Sequence, residues 1–167
     1  MSTKDEEYAS KNILSEEEAA QKIKVLKQQR KRIGLCAGSF DLMHPGHINH
    51  LNSAKKKVDV LLVSIASDKY NKTTRKAKGR PIFNQRLRAF SVSQLKVVDY
   101  VIMEENHDKL LQTIKPDYYI KGIDYNEKLI KVRELVKQQG GKLYFTPTEK
   151  LSTTELIKYI QEEVREK

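Results

Sequence analysis

A single cysteine, only four histidines and no long apolar run set the first limits on this chain of 167 residues. Cys36 has no partner for an intrachain disulfide, and its place inside the apolar run IGLCA fits a small buried residue better than a nucleophile. No segment approaches the ~18 consecutive apolar residues of a membrane span, and the polar start MSTKDEEY lacks the apolar core of a secretory signal. The expectation is a soluble, cytoplasmic protein with no membrane partner. Neither G-x-x-x-x-G-K-[ST] nor G-x-G-x-x-G occurs, which removes the P-loop and the dinucleotide fingerprint as routes to phosphate. Internal repeats, low-complexity tracts and long linkers are also missing. The length therefore reads as one domain, with 38% hydrophobic residues to fill a layered core. Its expected division is an N-terminal extension and leading helix over 1–31 and the main domain over 32–167.

Acidic charge is missing from one stretch in particular. The formal net charge is +10, and between Lys69 and Val98 nine basic residues (Lys69, Lys72, Arg75, Lys76, Lys78, Arg80, Arg86, Arg88 and Lys96) occur with no acidic one. Such a field attracts an anion, either nucleic acid or a phosphorylated small molecule. For most of the nine, a solvated loop and helix face is the simpler reading.

Short β-rich runs alternate with amphipathic stretches along the chain. Ser15 and Glu18 form a predicted capping box for a helix to about residue 30, with Ala19, Ile23 and Leu26 on its inner face. Strands are expected at 32–37, 58–66, 98–103, 117–122 and 142–146. Between them, helices are expected at INHLNSAKK with Ile48, Leu51 and Ala54 inward, from Asn84 to about Leu95 after a basic loop, near 107–114, over 127–138, and from Ser152 onward. This alternation predicts a doubly wound, Rossmann-like α/β domain: a parallel sheet of about five strands with helices on both faces.

In such sheets ligands bind outside the carboxyl ends of the strands, where strand order reverses. The exit of the first predicted strand is GSFDLMHPGH, residues 38–47, in which His44 and His47 flank a Pro-Gly pair. Gly38 allows a tight turn, and Pro45 and Gly46 shape the start of the next helix. His47 falls near that helix's N-terminus, where backbone amides attract anions. Two imidazoles beside such a site suit phosphate. A metal site built from His44, His47 and His50 is not expected, because the Pro-Gly pair breaks the helical spacing that would bring the three to one face. His50 and His107 read as solvated helix or loop histidines.

The pattern G-x-F-D-x-x-H-x-G-H, here Gly38, Phe40, Asp41, His44, Gly46 and His47, resembles the signature of the cytidylyltransferase-like nucleotidyltransferase superfamily. LSTTELI at 151–157 resembles the Ser-Thr-Thr helix start that is its second hallmark. From about residue 12 to the end the chain is similar to the heptose 1-phosphate adenylyltransferases, through KNILSEEEA, ASDKYNKTTRKAKGRP, NQR, VDYVI and YYIKGIDY. It departs from them at Ala37, Gly38 and Ser39, where they commonly show Asn-Gly-Cys, and at Ile123, where a glycine is usual. The glycerol 3-phosphate cytidylyltransferases, also similar, usually carry Arg-Thr-x-Gly-Ile before Ser-Thr-Thr. Here that segment is PTEKL, without arginine.

The resemblance implies transfer of AMP from ATP to a heptose 1-phosphate, giving ADP-heptose and pyrophosphate. One alternative is a cytidylyltransferase making a CDP-polyol such as CDP-glycerol. Another, of a different class, is a non-catalytic basic module that binds nucleic acid, which leaves both motifs unexplained. Nucleotidyl transfer needs in-line attack of an already ionised phosphate oxygen on the α-phosphorus, so the site must hold two repelling anions and stabilise charge rather than supply a strong base. On the resemblance, the catalytic set is His44 and His47 as transition-state donors, Lys72 and Lys76 on the triphosphate, with Arg75 as a substitute for either lysine, and Thr153. Gly38, Ser39, Phe40, Asp41 and Gly46 in the first motif, Arg86, Gly122 and Asp124, and Ser152 and Thr154 at the last helix start would bind the nucleotide. Ser152 with Glu155 is also a capping box in its own right. Mg2+ accompanies the triphosphate without a protein metal site. The expected partners are ATP and a sugar phosphate and not nucleic acid, and a homodimer is compatible with this reading. Bifunctional relatives carry a sugar-kinase domain in front, for which 167 residues leave no room, so a separate kinase is expected to supply the acceptor.

Overall fold

The computed structural model describes residues 8–74, 79–123, 130–147 and 153–165. Along them run β1 (Ile13–Leu14), α1 (Glu16–Gln28), β2 (Ile33–Gly38), α2 (Pro45–Lys55), β3 (Val60–Ile65), α3 (Asp68–Thr74), α4 (Gln85–Ser93), β4 (Tyr100–Met103), α5 (His107–Ile114), β5 (Tyr118–Gly122), α6 (Ile130–Gln138), β6 (Lys142–Thr146) and α7 (Thr153–Arg165). All pairings are parallel, in the order β1-β4-β3-β2-β5-β6. No helix among the described residues is long and apolar enough to cross a membrane.

The central strands β2 and β3 read as near-continuous apolar runs because both faces of the sheet are covered. Alternate residues serve opposite layers. Ile33, Leu35, Ala37, Val60, Leu62 and Ile102 pack with Ala19 and Ile23 of α1 and with Leu110, Leu111 and Ile114 of α5. Cys36, Leu61, Val63, Ile65 and Val101 pack with Leu51 and Ala54 of α2 and with Ala89 and Val92 of α4. Each fully buried large aliphatic side chain contributes about 1.5–3 kcal/mol, so these two layers carry the fold. Cys36 is among the fully buried, and desolvation pushes its thiol up to about 12, which keeps it a packed, inert residue. Local signals set the helix starts. Ser15 Oγ accepts the Glu18 amide at 3.2 Å while Glu18 accepts the Ser15 amide at 2.8 Å, and Asn84 accepts the Leu87 amide at 3.0 Å.

Three expectations change. The sheet has six strands, because β1 pairs at its edge with Val101 and Ile102 of β4; two residues are too few to show a period. The basic stretch after β3 opens as helix α3, whose first turn is tied by the Tyr70 amide donating to Ser67 Oγ at 3.1 Å. Ile48 is 38% exposed instead of inward. With Leu51 and Ala54 buried, the 3.6-residue period places 47 and 50, and not 48, on the inner face of α2, which starts at Pro45, the first helical position that proline favours. The predicted start of the last helix, Ser152, lies outside the described residues.

β2 is the pivot of the sheet. β3, β4 and β1 lie on one side of it and β5 and β6 on the other, so strand order reverses between β2 and β5. That crevice, at the carboxyl ends, is where open α/β sheets receive ligands.

Candidate active site

Leaving β2, the chain passes through left-handed backbone at Phe40 (φ 50°) and Leu42 (φ 49°), conformations that cost free energy in residues bearing side chains and persist where packing holds them. Gly38 supplies room rather than the turn itself: a Cβ there would lie 3.0 Å from Cε2 of the Phe40 ring, which is buried in the α2–α4 layer. His44 then takes the N-cap of α2 in extended backbone, followed by Pro45, Gly46 and His47 in the first turn. The His44 carbonyl accepts the amides of His47 at 3.0 Å and Ile48 at 3.3 Å. This turn stacks the two imidazoles, with centroids 3.8 Å apart and planes 26° from parallel, and sets the Phe40 ring 5.4 Å from that of His47. Among the described residues no side chain caps α2, and its first turn holds no acidic residue, so the positive end of the helix dipole is left for an anion.

Two buried polar atoms on this turn are open. Nδ1 of His44 and Oγ of Ser39, a residue only 4% exposed, have no hydrogen-bond partner among the described residues. Buried polar atoms are nearly always paired, and two open ones on a single turn suit ligand oxygens. Burial also lowers the His44 pKa, which keeps its ring neutral at pH 7 until an anion offsets the desolvation.

Asp41 faces inward. It is 1% exposed, accepts the amides of Ile82 at 2.9 Å and Phe83 at 3.1 Å, and pairs with the buried Arg80 at 2.9 Å. Its backbone carbonyl accepts the Thr153 hydroxyl at 3.1 Å. The two sequence motifs, one near each end of the chain, thus meet at Asp41. Thr153 uses its proton in that contact and keeps its lone pairs for any ligand.

Sequence reasoning singles out Arg86 and leaves Arg88 among solvated charges, whereas the structure buries Arg88. Its guanidinium donates to the carbonyls of Ser39 at 2.5 Å, Ala66 at 2.8 Å and Phe83 at 2.9 Å and to Asp68 at 2.6 Å. It clamps the ends of β2 and β3 to the starts of α3 and α4. The available signal was its helical register, since Arg88 shares the inner face of α4 with Ala89 and Val92. Arg86 is half-buried on the same helix.

Lys72 is exposed on α3 and lines a shallow groove with Asp68, Pro81, Ile82, Asn84 and Leu87. Gly122 ends β5 opposite Thr146 of β6. Lys76, Arg75, Asp124, Ser152 and the side chain of Thr154 lie outside the described residues. Neither of the other histidines is simply solvated. His50 Nδ1 lies 2.7 Å from Thr146 Oγ1, because the Pro-Gly pair sits within the first turn of α2 and leaves His47 and His50 on one face. His107 lies 2.9 Å from Glu104 Oε2 through Nδ1 and 3.0 Å from the Tyr119 hydroxyl through Nε2. Among the described residues no group of three His, Cys, Asp or Glu side chains is placed to hold a metal ion.

An open parallel sheet, with stacked histidines on an uncapped helix N-terminus at its carboxyl edge, is the architecture of a nucleotide-handling α/β enzyme. Residues 35–159 match the Cytidylyltransferase-like family model, and the chain belongs to that family; it is a nucleotidyltransferase. Among curated relatives, the Bifunctional protein HldE of Nitrobacter hamburgensis is 35% identical over 147 residues, 86% of this chain and 30% of that protein. The Bifunctional protein HldE of Helicobacter pylori is 37% identical over 118 residues, 70% of this chain and 25% of that protein. The chain therefore spans less than a third of the length of these relatives. The crystal structure of the lipopolysaccharide core biosynthesis protein from Thermoplasma volcanium matches with a TM-score of 0.64 at 28% identity, over 72% of this chain and 99% of that one. Pantoate-beta-alanine ligase from Francisella tularensis, complexed with beta-gamma ATP and beta-alanine, matches with a TM-score of 0.57 at 19% identity over 85% of this chain and 69% of its own, a likeness of fold alone.

Proposed function

We propose that the chain transfers AMP from ATP to a heptose 1-phosphate, giving ADP-heptose and pyrophosphate. The observation that supports the chemistry best is the stacked His44–His47 pair on the uncapped start of α2, with the open Ser39 hydroxyl on the same turn. Support for the sugar comes from the motif resemblance to heptose 1-phosphate adenylyltransferases and from the HldE relatives. In this reading a phosphate oxygen of the acceptor attacks the α-phosphorus, the bond to the bridging oxygen breaks, and pyrophosphate leaves. His44 and His47 donate hydrogen bonds to the phosphates as charge builds, a preorganised electrostatic role. Lys72 and Lys76 meet the triphosphate, and the start of α7, with Ser152, Thr153 and Thr154, meets its outer phosphates. Arg86, Gly122 and Asp124 line the nucleotide, while Asp41, Arg80 and Arg88 hold the turn in shape. Imidazoles, hydroxyls and amides fit phosphate oxygens and leave a Mg2+ ion to the nucleotide, where it neutralises charge on the leaving pyrophosphate.

A pyrophosphate-release screen of four nucleoside triphosphates against a panel of sugar and polyol phosphates tests this. ATP with a heptose 1-phosphate should lead, with ATP preferred over CTP at fixed acceptor by at least about tenfold in kcat/KM, or about 1.4 kcal/mol. If CTP equals or exceeds ATP with glycerol 3-phosphate, the CDP-polyol reading replaces the heptose one. Tight, sequence-selective nucleic-acid binding at physiological salt, with no pyrophosphate released, would favour the basic binding module instead.

A further inference from the structure

On the α1–α5 face of the sheet, at the same carboxyl edge, four polar side chains with no part in the reaction so far form a connected line. Ser64 Oγ donates to Glu104 Oε2 at 2.5 Å, His107 Nδ1 lies 2.9 Å from the same oxygen, and His107 Nε2 lies 3.0 Å from the Tyr119 hydroxyl. Ser64 is fully buried and Glu104 is 6% exposed. Burial alone would raise the Glu104 pKa. The hydrogen bond and charge of His107, the Ser64 hydroxyl and the charge of Lys121 outweigh it and leave it lowered, so the line is organised around a carboxylate anion.

The line ends at Lys121. Its ammonium lies 5.8 Å from the centroid of the Tyr119 ring and donates to the carbonyl of Ala37, reaching from β5 to β2 across the crevice where strand order reverses. Ala37 directly precedes the turn that carries Ser39, His44 and His47. The Lys121 carbonyl in turn accepts Thr146 Oγ1 at 3.4 Å, the hydroxyl that lies 2.7 Å from His50 of α2. Lys121 is therefore joined to both β2 and α2, the two elements that frame the histidine pair. A cation held at a partly desolvated crevice attracts phosphate more strongly than one on an open surface.

We infer that Lys121 is a phosphate-binding residue of the nucleotidyl-transfer site, supplied from β5 across the β2–β5 crevice, and that Ser64, Glu104, His107 and Tyr119 are positioning residues that hold its ammonium there. This rests on the proposed function and adds Lys121, which precedes Gly122 in YYIKGIDY and to which the resemblance gives no role of its own. The competing account makes Lys121 a countercharge for Glu104, with consequences for stability only.

The test compares Lys121→Met, which keeps the chain length and removes the charge, with Lys121→Arg, which keeps the charge. Calorimetric titration with inorganic pyrophosphate and with Mg-ATP is read beside steady-state KM for ATP and for the sugar phosphate. Lys121→Met should weaken at least one phosphate ligand tenfold or more, and Lys121→Arg should recover part of the loss. Weakened pyrophosphate and ATP binding places Lys121 on the nucleotide, whereas a raised KM for the sugar phosphate alone places it on the acceptor. His107→Gln should move the same ligand's KM in the same direction by a smaller factor while kcat stays within about twofold. Unchanged affinity for every phosphate ligand in Lys121→Met, with a lowered melting temperature, overturns the inference in favour of the countercharge. If Lys121→Met does not fold, Lys121→Gln removes the charge and keeps a polar side chain, and unchanged affinity for every phosphate ligand there overturns it as well. An unaltered protein that turns over no substrate pair but loses pyrophosphate binding on Lys121→Met would sink the proposed reaction and keep the phosphate site; one that binds no phosphate ligand at all sinks both.

Discussion

The two sides of the sheet's carboxyl edge use the same residue types in opposite ways. On the α5 side, His107 engages both ring nitrogens, Glu104 has two partners on one oxygen, and the Ser64 hydroxyl is bonded. On the α2 side, the Ser39 hydroxyl and Nδ1 of His44 are buried and open among the described residues, and backbone strain at Phe40 and Leu42 is concentrated in the same turn. A chain folding for stability alone would close those bonds, since an open buried polar group costs about 1–3 kcal/mol. The difference shows that histidine identity and spacing carry less information than whether the protein has already satisfied the ring.

The largest effect that should separate the sides is on turnover. His44→Ala and His47→Ala should each lower kcat by about a hundredfold or more, the scale of removing one preorganised donor, with circular dichroism and melting temperature close to those of the unaltered protein. Full turnover in either variant would remove that ring from the mechanism. Glu104→Ala should do the reverse in kind. It leaves Ser64 and His107 without their shared acceptor and should cost about 2 kcal/mol in urea unfolding. An unmoved urea midpoint would mean that the α5 side is no more tightly built than the α2 side. Smaller again is the effect of two lysines of the basic stretch: Lys72→Ala with Lys76→Ala should raise KM for ATP by about tenfold, equivalent to about 1.4 kcal/mol, and leave stability unchanged. A KM that stays put would take both lysines off the triphosphate.

Much of this edge was legible before the fold was known, and the illegible part has a common cause. The near-continuous apolar runs of β2 and β3, the Ser15–Glu18 capping box and the Asn84 cap are local signals, and the structure reproduces them. The helix after the histidines begins at Pro45 and not at Ile48, because proline reads as a breaker until it is recognised at the first helical position; carrying the period back through His47 and His50 from Leu51 and Ala54 puts those two inward and Ile48 outward. Arg88 was hidden for a different reason. Its burial depends on carbonyls of Ser39, Ala66 and Phe83 converging from separate segments, which no window of sequence displays. The meeting of Asp41 with Thr153 is of the same kind: both residues belong to motifs visible in the sequence, yet the hydrogen bond between them spans 112 positions. Spacing reports what neighbours in the chain do, and the clamps of this site are made by strangers to one another in sequence.

The smallest expected effect divides the two sides by pH. Burial lowers the His44 pKa from its ordinary 6.5, so on acidification the unfolded chain takes up a proton at this ring before the folded one does. The stability tied to a neutral His44 is therefore complete above about pH 6.5 and is lost as pH falls through the folded value. Glu104 is also lowered, from its ordinary 4.5, so its contribution is complete above that pH and is lost as pH falls through its own folded value. Both groups make acid destabilising, but the α2 side acts in the higher window. Melting temperature followed downward from about pH 8 should show a shallow decline beginning near 6.5 and a steeper one below 4.5. His44→Gln, which cannot titrate, should remove the first decline and keep the second, and Glu104→Gln should soften only the second. Saturating pyrophosphate should also suppress the first, because an anion at the start of α2 stabilises the imidazolium and raises the folded pKa. If His44→Gln retains the whole decline between 6.5 and 4.5, the contrast between open and engaged groups holds for their hydrogen bonds but not for their protons.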